Sequence, residues 1–496
     1  MIRKVKEKRL ADLGLTARGL ANVPVTGLSV DSRTVEEGHL FVALPGAKIH
    51  GATFIEYALR MGATSVLTDA VGAQIARTAL EDSGVALVVA EDPRMALSFV
   101  AALFFEGQPA HMVAITGTNG KTSVATFTRQ IWIALGFPAA NIGTTGVEGA
   151  FQVPLSHTTP EPITLHRLLA KMAKAGVTHA AMEASSHGLA QRRLDAVRLM
   201  AAGFTNFSQD HLDYHKDFDD YFNAKAGLFE RVLPAEGRAV INIDSPRGLQ
   251  MAEIARSRGQ RVLSVGRTAG ADMCLVGQRF DAQGQEVLFT FEGGQHGLRL
   301  PLIGGFQAEN VLLAAGLVIA CGEKAERVFE VLPEMVTVPG RMQHAATREN
   351  GATVFVDFAH TPDALSTALT ALRPHVMGRI VVVLGAGGDR DTSKRALMGR
   401  AATQHADVVF VTDDNPRSED PAAIRDMVME GCPQAHNVGD RAEAILRAVD
   451  ALGAGDALLI AGKGHETGQT IGDVTLPFND AEQASVVVAA LEGRLA

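Results

Sequence analysis

Cysteine and aromatic residues are both scarce in this 496-residue chain, which has three cysteines and 5% aromatics. Cys274, Cys321 and Cys432 are far apart and form neither a CxxC pair nor a disulfide framework, which indicates a reducing compartment. The longest apolar runs, 96–105 and 311–321, fall short of the ~20 residues that cross a bilayer, and no apolar segment follows the N-terminal charges. We therefore expect a cytoplasmic protein with no membrane insertion.

Positively charged residues are also fewer than negatively charged ones. Lysine and arginine number 46 against 55 aspartates and glutamates, so the formal net charge is −9. This balance does not favour nucleic acid as a partner, and an anionic ligand would need local cations. The length predicts two to four domains and excludes a single small binding module. A composition of 47% hydrophobic and 20% charged residues excludes a disordered chain or a coiled coil.

Apolar runs alternate with helical patterns over the first half of the chain. The first ~90 residues predict a small α/β domain. After it, an apolar strand at 112–116 leads into a glycine loop and a helix that ends at Gly136. Further strands are predicted at 178–185, 200–207 and 238–244. The fold class is therefore α/β, with a mainly parallel sheet covered by helices.

A second α/β region is predicted to start near Arg379. The segments 379–391, 407–417 and 456–466 each consist of an apolar strand that runs into a polar loop. Ligands of open α/β sheets bind beyond the carboxyl ends of strands, so all three loops are candidate site elements. The boundary between the two regions is predicted at 336–343, where proline and glycine interrupt the pattern.

The glycine loop GTNGKTS is the strongest single motif. A loop of this kind between a strand and a helix offers backbone N–H groups to phosphate oxygens. Lys121 would reach the terminal phosphates, and Thr122 would ligate Mg²⁺. Ile115 stands where the full motif has its first glycine, so the loop is a shortened variant. The alternative is a helix cap that binds nothing.

Three more residues could complete a site at this loop. Glu183 and His211 follow predicted strands, and a carboxylate and an imidazole would suit Mg²⁺ held together with a nucleotide. Each could equally be a hydrogen-bonded structural residue. Lys225 lies on a predicted helix with an apolar face, and the pattern alone makes it a surface lysine.

The segment DDNPRSED, residues 413–420, combines a cation with carboxylates after a strand, as a site for a zwitterionic amino acid requires. Its alternative is purely structural, because Asn415-Pro416 forms a turn and Asp420 with Pro421 caps a helix. GAGGDRD, residues 385–391, lacks the full dinucleotide spacing, so hydride transfer is a weak third choice.

Together these motifs resemble the Mur ligase family, the ATP-dependent amide ligases of peptidoglycan precursor synthesis. The segments GTNGKTS, MEASSHGL, TNFSQDHLDYH, DFAHTPDAL, GGDRD and GKGHE occur in the order that this family shows. The resemblance implies three domains: an N-terminal UDP-binding domain over 1–90, a central P-loop ATPase over 91–338, and a C-terminal Rossmann-like domain over 339–496 that admits the amino acid.

The resemblance also implies which residues bind the nucleotide substrates. Those expected on the UDP-N-acetylmuramoyl dipeptide are Val30, Ser32, Ala47, Lys48, Ile49, His157, Thr158, Thr159, Ser185, Gln191 and Arg193. His157 replaces an expected Asn. Those expected on ATP are Gly117, Thr118, Asn119, Gly120, Lys121, Thr122, Ser123, Asn310 and Arg341. Asp357 and His360 are expected near the nucleotide, and Gln307 replaces the usual Asn of its motif.

The catalytic residues implied are Lys121, Glu183, His211 and Lys225. Lys225 matches the carbamylated lysine of the family, which overturns its assignment as a surface residue. As a carbamate it would bind Mg²⁺ together with Thr122, Glu183 and His211, because carbamylation turns a cation into an anion.

The combination DNPR resembles the branch that adds meso-diaminopimelate to UDP-N-acetylmuramoyl-L-alanyl-D-glutamate through an acyl phosphate. Its amino-acid pocket would comprise Arg390, Asp414, Asn415, Pro416, Arg417, Gly462 and Glu466. Arg417 could pair bidentately with the second carboxylate, which lysine lacks. The alternatives are a lysine-adding sister ligase, folylpoly-γ-glutamate synthase and, from another class, a nucleotide-binding regulator. We expect a monomer whose partners are small-molecule substrates.

Overall fold

The structure is a computed structural model, and it describes residues 7–18, 23–46, 48–208 and 214–494. The chain divides into two compact units. Unit 1 comprises Met1–Ser264 with Leu313–Ala325, and unit 2 comprises Val265–Leu312 with Glu326–Ala496. The three domain boundaries drawn from the sequence stay predictions.

The elements up to residue 266 alternate between strands and helices. They are β1 (Lys8–Arg9), β2 (Pro24–Val25), β3 (Gly27–Ser29), β4 (His39–Val42), α1 (Ile55–Arg60), β5 (Ser65–Thr68), α2 (Ala70–Ile75), α3 (Arg77–Ser83), β6 (Ala86–Val89), α4 (Pro93–Phe105), β7 (His111–Thr116), α5 (Lys121–Ala134), β8 (Ala139–Gly143), β9 (Gly146–Gly149), α6 (Pro162–Lys174), β10 (His179–Glu183), α7 (Ser186–Ala190), β11 (Ala201–Phe204), α8 (Phe218–Gly227), β12 (Arg238–Asn242), α9 (Pro246–Ser257) and β13 (Arg261–Gly266). A π-helical turn, Leu228–Val232, continues α8.

The elements after residue 266 begin with three long strands. They are β14 (Met273–Asp281), β15 (Gly284–Phe291), β16 (Gly294–Leu300), α10 (Phe306–Ala320), α11 (Ala325–Val331), β17 (Gln343–Thr347), β18 (Thr353–Asp357), α12 (Pro362–Leu372), β19 (Ile380–Leu384), α13 (Lys394–His405), β20 (Val408–Val411), α14 (Pro421–Met429), β21 (His436–Asn437), α15 (Arg441–Asp450), β22 (Ala457–Ala461), β23 (Gly468–Ile471), β24 (Val474–Pro477) and α16 (Asp480–Leu491).

The N-terminal part of unit 1 is the small α/β domain that the sequence predicts. Its four strands pair in parallel in the order β3-β4-β5-β6. One side of this sheet packs against α4 through Leu97, Val100 and Ala101. The other side packs against α1 and α3.

A larger parallel sheet follows in unit 1, with strands in the order β12-β11-β7-β10-β8 and β9 antiparallel at the edge. Ile115 at the end of β7 pairs with Glu183 at the end of β10, and Thr116 pairs with Phe204 at the end of β11. The carboxyl ends of these strands therefore meet at one edge, which confirms the sequence prediction of a mainly parallel sheet.

Unit 2 contains a six-stranded sheet in the order β17-β18-β22-β19-β20-β21, parallel except for β17. Its Rossmann-like character is as predicted. The predicted start near Arg379 is wrong, because β18 already pairs with β22. The antiparallel strands β14, β15 and β16 were also missed, because their alternating polar residues lack the continuous apolar run of a buried strand.

Among the described residues, no helix combines the length and the apolar composition that a membrane crossing needs.

Candidate active site

The glycine loop, residues 117–123, lies between β7 and α5 as predicted. Gly117 has φ of 148°, and a Cβ there would stand 1.9 Å from Thr205 Oγ1, so only glycine fits. Gly120 precedes α5, whose first residue is Lys121. The loop thus presents backbone N–H groups of a helix N-terminus at the carboxyl edge of the sheet. Thr122 and Ser123 are buried behind it.

The segment after β11 holds this loop in shape. Thr205 Oγ1 donates to the Asn119 carbonyl over 2.5 Å, and Asn119 N donates to Asn206 Oδ1 over 2.9 Å. Thr118 Oγ1 accepts from Ser208 N over 3.0 Å. The sequence reasoning missed these partners, although they lie inside the recognised segment TNFSQDHLDYH.

Two lysines converge on one carbonyl of the glycine loop. Lys121 Nζ donates to the Gly117 oxygen over 2.9 Å, and Lys225 Nζ donates to the same oxygen over 2.8 Å. Lys225 is 1% exposed, and its Nζ lies 4.3 Å from the Tyr221 ring centroid. The pattern-based prediction of a surface lysine is therefore wrong, because the lysine faces the loop rather than solvent.

Glu183 is buried at the end of β10, 1% exposed. Thr144 N donates to Glu183 Oε1 over 2.8 Å, and Thr144 Oγ1 donates to Oε2 over 3.3 Å. Thr144 Oγ1 also lies 3.0 Å from Thr158 Oγ1, and Thr159 Oγ1 donates to the Glu183 carbonyl over 2.9 Å. The loop after β8 thus orients this carboxylate, which pattern reasoning did not foresee.

Four buried hydroxyls at the same edge have no hydrogen-bond partner within the described part of the chain. They belong to Thr116, Thr145, Ser186 and Ser208, which follow or end β7, β8, β10 and β11 respectively. Buried polar groups are normally satisfied, so their clustering at one edge indicates a place for a polar ligand or ordered water. His211 lies outside the described residues.

A cavity of about 90 Å³ joins residues of the N-terminal part of unit 1 to those near the parallel sheet. Val30, Gln191 and Arg193, which the resemblance assigns to the dipeptide nucleotide, line it together with Arg94 and Glu161. Arg193 donates to the Thr159 carbonyl over 2.6 Å and to Gln191 Oε1 over 2.7 Å. Burial lowers the pKa of the Arg193 guanidinium, and the nearby Glu161 acts in the opposite direction.

The other residues expected on the dipeptide nucleotide lie in several places. Ser185 caps α7 by accepting from Gly188 N over 3.1 Å. Ser32 is buried, whereas Lys48, Ile49 and His157 are exposed. Ala47 lies outside the described residues.

In unit 2, Asn310 lies on α10 and donates to Gln307 Oε1 over 3.1 Å. Arg341 lies 4.7 Å over the Phe358 ring. Asp357 accepts from Met342 N over 2.7 Å, and burial raises the pKa of its carboxyl while Arg341 acts in the opposite direction. His360 is exposed, and its Nδ1 donates to the Phe358 carbonyl over 2.8 Å.

Three loops beyond β19, β20 and β22 form what we call the C-terminal loop cluster, residues 385–391, 413–420 and 462–466. Asn415 Nδ2 donates to Glu466 Oε2 over 2.9 Å. Gly462 has φ of 114°, and a Cβ there would stand 2.6 Å from Asp414 Oδ2. Residues that the resemblance assigns to one pocket therefore lie close together, namely Asp414, Asn415, Gly462 and Glu466.

Two arginines flank Gly387 in the C-terminal loop cluster. A Cβ added at Gly387 would stand 3.0 Å from Arg417 Nη1 and 3.8 Å from Arg390 Cγ. Arg417 Nη1 donates to the Gly388 carbonyl over 2.7 Å, and the backbone of Arg417 has φ of 51°. The Pro416 carbonyl accepts from Glu419 N over 3.1 Å.

Ion pairs that the sequence reasoning missed hold these loops. Arg395, 0% exposed, donates to both oxygens of Glu419 over 2.8 Å, and Glu419 also accepts from Asp389 N. Behind the cluster, Arg441 and Asp480 are both fully buried and bond over 2.7 Å. Helical periodicity alone does not reveal such pairs, because it does not say which helices face each other.

Three family models match the chain. They are the Mur ligase family, catalytic domain over residues 24–109, the Mur ligase middle domain over 115–318, and the Mur ligase, glutamate ligase domain over 340–464.

Curated relatives match over nearly the whole length. A protein of Brucella melitensis is 47% identical, covering 99% of this chain and 100% of the relative, and one of Bradyrhizobium diazoefficiens is 48% identical, covering 96% and 97%. Both are named UDP-N-acetylmuramoyl-L-alanyl-D-glutamate--2,6-diaminopimelate ligase.

Solved structures agree in fold. A ligase of the same name is 33% identical with a TM-score of 0.70, covering 95% of this chain and 96% of that structure. A folylpolyglutamate synthase of Mycobacterium tuberculosis complexed with ADP is 20% identical with a TM-score of 0.62, covering 81% and 94%, so it bears on the fold alone. With its motifs in order, three family models matched along it and relatives that match nearly its whole length, this chain belongs to the Mur ligase family.

Proposed function

We propose that this chain is an ATP-dependent ligase that joins meso-2,6-diaminopimelate to UDP-N-acetylmuramoyl-L-alanyl-D-glutamate in peptidoglycan precursor synthesis. The bond forms at the side-chain carboxylate of D-glutamate. The names of relatives at 47–48% identity support this activity. The scarcity of cysteine, with three in the chain, supports a reducing, cytoplasmic location. We propose a monomer as the working state.

One observation carries the choice of amino acid. In the C-terminal loop cluster, the guanidinium of Arg417 and the side chain of Arg390 lie around Gly387, and Asp414 and Glu466 lie within the same cluster. The far end of meso-diaminopimelate carries a carboxylate and an ammonium, which complement these charges. L-Lysine has no carboxylate there and would leave the guanidinium unpaired, at a cost of about 2 to 5 kcal/mol.

The first step transfers the γ-phosphoryl group of ATP to the D-glutamate carboxylate, which releases ADP and forms an acyl phosphate. The glycine loop would hold the phosphates through its backbone N–H groups, and Lys121 would neutralise charge at the transferred group. In the second step the diaminopimelate amine attacks the acyl carbon, and phosphate leaves. Asn310 and Arg341 would contact the nucleotide, with Asp357 and His360 nearby.

We propose that Thr122, Glu183, His211 and a carbamylated Lys225 would hold Mg²⁺. The hydroxyls of Thr116 and Thr145, which have no partner among the described residues, support a polar ligand at this edge. Bound Mg²⁺ supplies positive charge that stabilises the transferring phosphoryl group.

The carbamate is supported by the two ammonium groups at the Gly117 carbonyl. Like charges so close repel one another, and carbamylation of Lys225 replaces that repulsion by attraction to Lys121 and to a metal.

The dipeptide nucleotide would enter the cavity lined by Val30, Gln191 and Arg193. Ser32, Lys48 and Ile49 would contact the uridine side, together with Ala47. His157, Thr158, Thr159 and Ser185 would extend the surface toward Glu183.

The test measures phosphate release from ATP with the dipeptide nucleotide present and compares meso-diaminopimelate with L-lysine. We expect release with diaminopimelate and little with lysine. Release with lysine alone would make the chain a lysine-adding ligase and would overturn the role given to Arg417. Release that is indifferent to both amino acids would favour a regulator and remove the ligase proposal.

A further inference from the structure

Lys463 is a fully buried lysine to which the proposed reaction gives no role. It follows β22 beside Gly462, and its side chain is 0% exposed. Its Nζ donates to Asn415 Oδ1 over 3.1 Å and to Glu466 Oε2 over 3.3 Å, and lies 3.9 Å from Asp414 Oδ1. All three partners belong to the C-terminal loop cluster.

A buried ammonium is costly unless anions and hydrogen-bond acceptors surround it. The acceptors of Lys463 are the residues that we propose as the amino-acid pocket, so its stability depends on the shape of that pocket. The Glu466 side chain is 37% exposed, whereas that of Asp414 is 9% exposed. Glu466 can therefore contact both the buried lysine and a ligand.

Lys463 also fixes the orientation of an amide. Asn415 Oδ1 accepts from Lys463 Nζ and from Thr470 N, over 3.1 Å and 2.9 Å. The Nδ2 of Asn415 donates to Glu466. A reversed amide would set its NH₂ group against two donors and its oxygen against a carboxylate, so only one orientation is allowed.

We propose that Lys463 is a positioning residue for the amino-acid substrate, an inference that rests on the proposed function. It holds Asn415 and Glu466 in their binding geometry. It also offsets part of the negative charge of Asp414 and Glu466, the carboxylates that we propose for the incoming ammonium group. This assigns a binding role to a residue that contacts no ligand itself.

The test is steady-state kinetics of full-length Lys463→Met with ATP, the dipeptide nucleotide and meso-diaminopimelate. Loss of a charge-assisted hydrogen bond predicts a roughly tenfold to hundredfold rise in KM for diaminopimelate. KM for ATP and kcat at saturating diaminopimelate should stay within about twofold, because the lost interaction concerns amino-acid binding. Lys171→Met, at an exposed lysine of α6, is the matched control and should leave all parameters unchanged.

If Lys463 had only a structural role, its substitution would not act on diaminopimelate binding alone. An unchanged KM for diaminopimelate, or an equal rise in KM for ATP, therefore overturns the proposal.

If Lys463→Met does not fold, Lys463→Gln decides, since it removes only the charge of Lys463 and keeps a hydrogen-bond donor for the buried position. A folded Lys463→Gln enzyme with a raised KM for diaminopimelate supports the proposal. One that is unfolded, or that has the wild-type KM, overturns it. A wild-type chain without diaminopimelate-dependent phosphate release refutes the proposed function itself, and this inference with it.

Discussion

The glycine loop of unit 1 and the C-terminal loop cluster of unit 2 lie at the carboxyl ends of parallel strands, but their polar groups are paired differently. Around the glycine loop, the hydroxyls of Thr145 and Ser208 have no partner within the described residues, and two lysines donate to one carbonyl. In the C-terminal loop cluster, Asn415 and Lys463 bond to neighbouring loops. The first site leaves hydroxyls for a polar ligand or ordered water, whereas the hydrogen bonds of Asn415 and Lys463 already organise the second.

This difference in pairing suits the tasks that we propose for the two sites, phosphoryl transfer at the glycine loop and amino-acid selection in the C-terminal loop cluster. A site for phosphoryl transfer must attract several charges that arrive with the substrates and the metal. A site that selects one amino acid gains from rigid groups, because ordering them has no further cost at binding. Changes at the glycine loop should therefore alter kcat, and changes in the C-terminal loop cluster should alter KM.

The largest expected effect is at Lys225. Lys225→Ala should lower kcat by about 100-fold or more, because it removes the carbamate that would hold Mg²⁺ at the phosphoryl group. Short carboxylates such as formate or acetate should restore part of the rate. Phosphate release measures both effects, with Lys171→Ala as the control at an exposed lysine. If no acid restores activity, the carbamate assignment is weakened.

Arg417→Ala should have the next largest effect. We expect KM for meso-diaminopimelate to rise about thirtyfold or more, because the distal carboxylate loses its partner, while KM for ATP stays constant. Arg400→Ala, at an exposed arginine of α13, is the matched control. An equal rise in both KM values would contradict the recognition role and the contrast between the two sites.

A smaller effect concerns the stability of unit 1 in acid. Burial, with a contribution from Arg198, lowers the pKa of His166 on α6 to about 4. The imidazole of His166 is therefore protonated below about pH 6.5 in the unfolded chain, but only below about pH 4 in the folded chain. Stability from this group is complete above pH 6.5 and falls by up to about 3 kcal/mol as the pH drops toward 4. Urea unfolding measures the free energy of unfolding at pH 7 and at pH 5. Between these two pH values, His166→Leu should lose less stability than the wild-type chain, and an equal loss in both proteins would refute this cause.

The smallest effect is expected at an exposed ion pair. The side chains of Arg77 and Glu81 are 74% and 63% exposed, so Arg77→Ala should leave the midpoint of urea unfolding essentially unchanged. This variant is the reference for the other substitutions. A clearly lower midpoint would show that exposed charges in unit 1 contribute more to stability than we expect.

Much of the fold follows from the sequence because buried parallel strands form continuous apolar runs. The strand from Met112 to Thr116 and the glycine loop after it are readable for that reason. The strand β18 has such a run as well. No strand was predicted there, because the run lies between the boundary segment 336–343 and the motif DFAHTPDAL. The strands β14–β16 alternate in polarity and give a weaker signal.

The candidate site was predictable in part. The sequence placed Lys121 and Arg417 on loops after predicted strands and Glu183 at the end of one; in the structure Lys121 begins α5 after β7, Arg417 follows β20 and Glu183 ends β10. Their orientation depends on partners distant in sequence, such as Thr144 for Glu183 and Asp389 for the loop of Arg417. No local pattern encodes these contacts, so only the folded chain reveals them.

The backbone of Arg417 has a consequence for dynamics. Arg417 N donates to the Thr470 carbonyl over 3.1 Å, and Gly472 N donates to the Arg417 carbonyl over 2.7 Å, so one parallel β-bridge joins the loop after β20 to the hairpin of β23 and β24. The amides of Arg417 and Gly472 should therefore exchange their protons with solvent at similar rates, as one opening unit. Loosening the hairpin would release the backbone of Arg417, so we expect selectivity for the amino acid to fall before catalysis does.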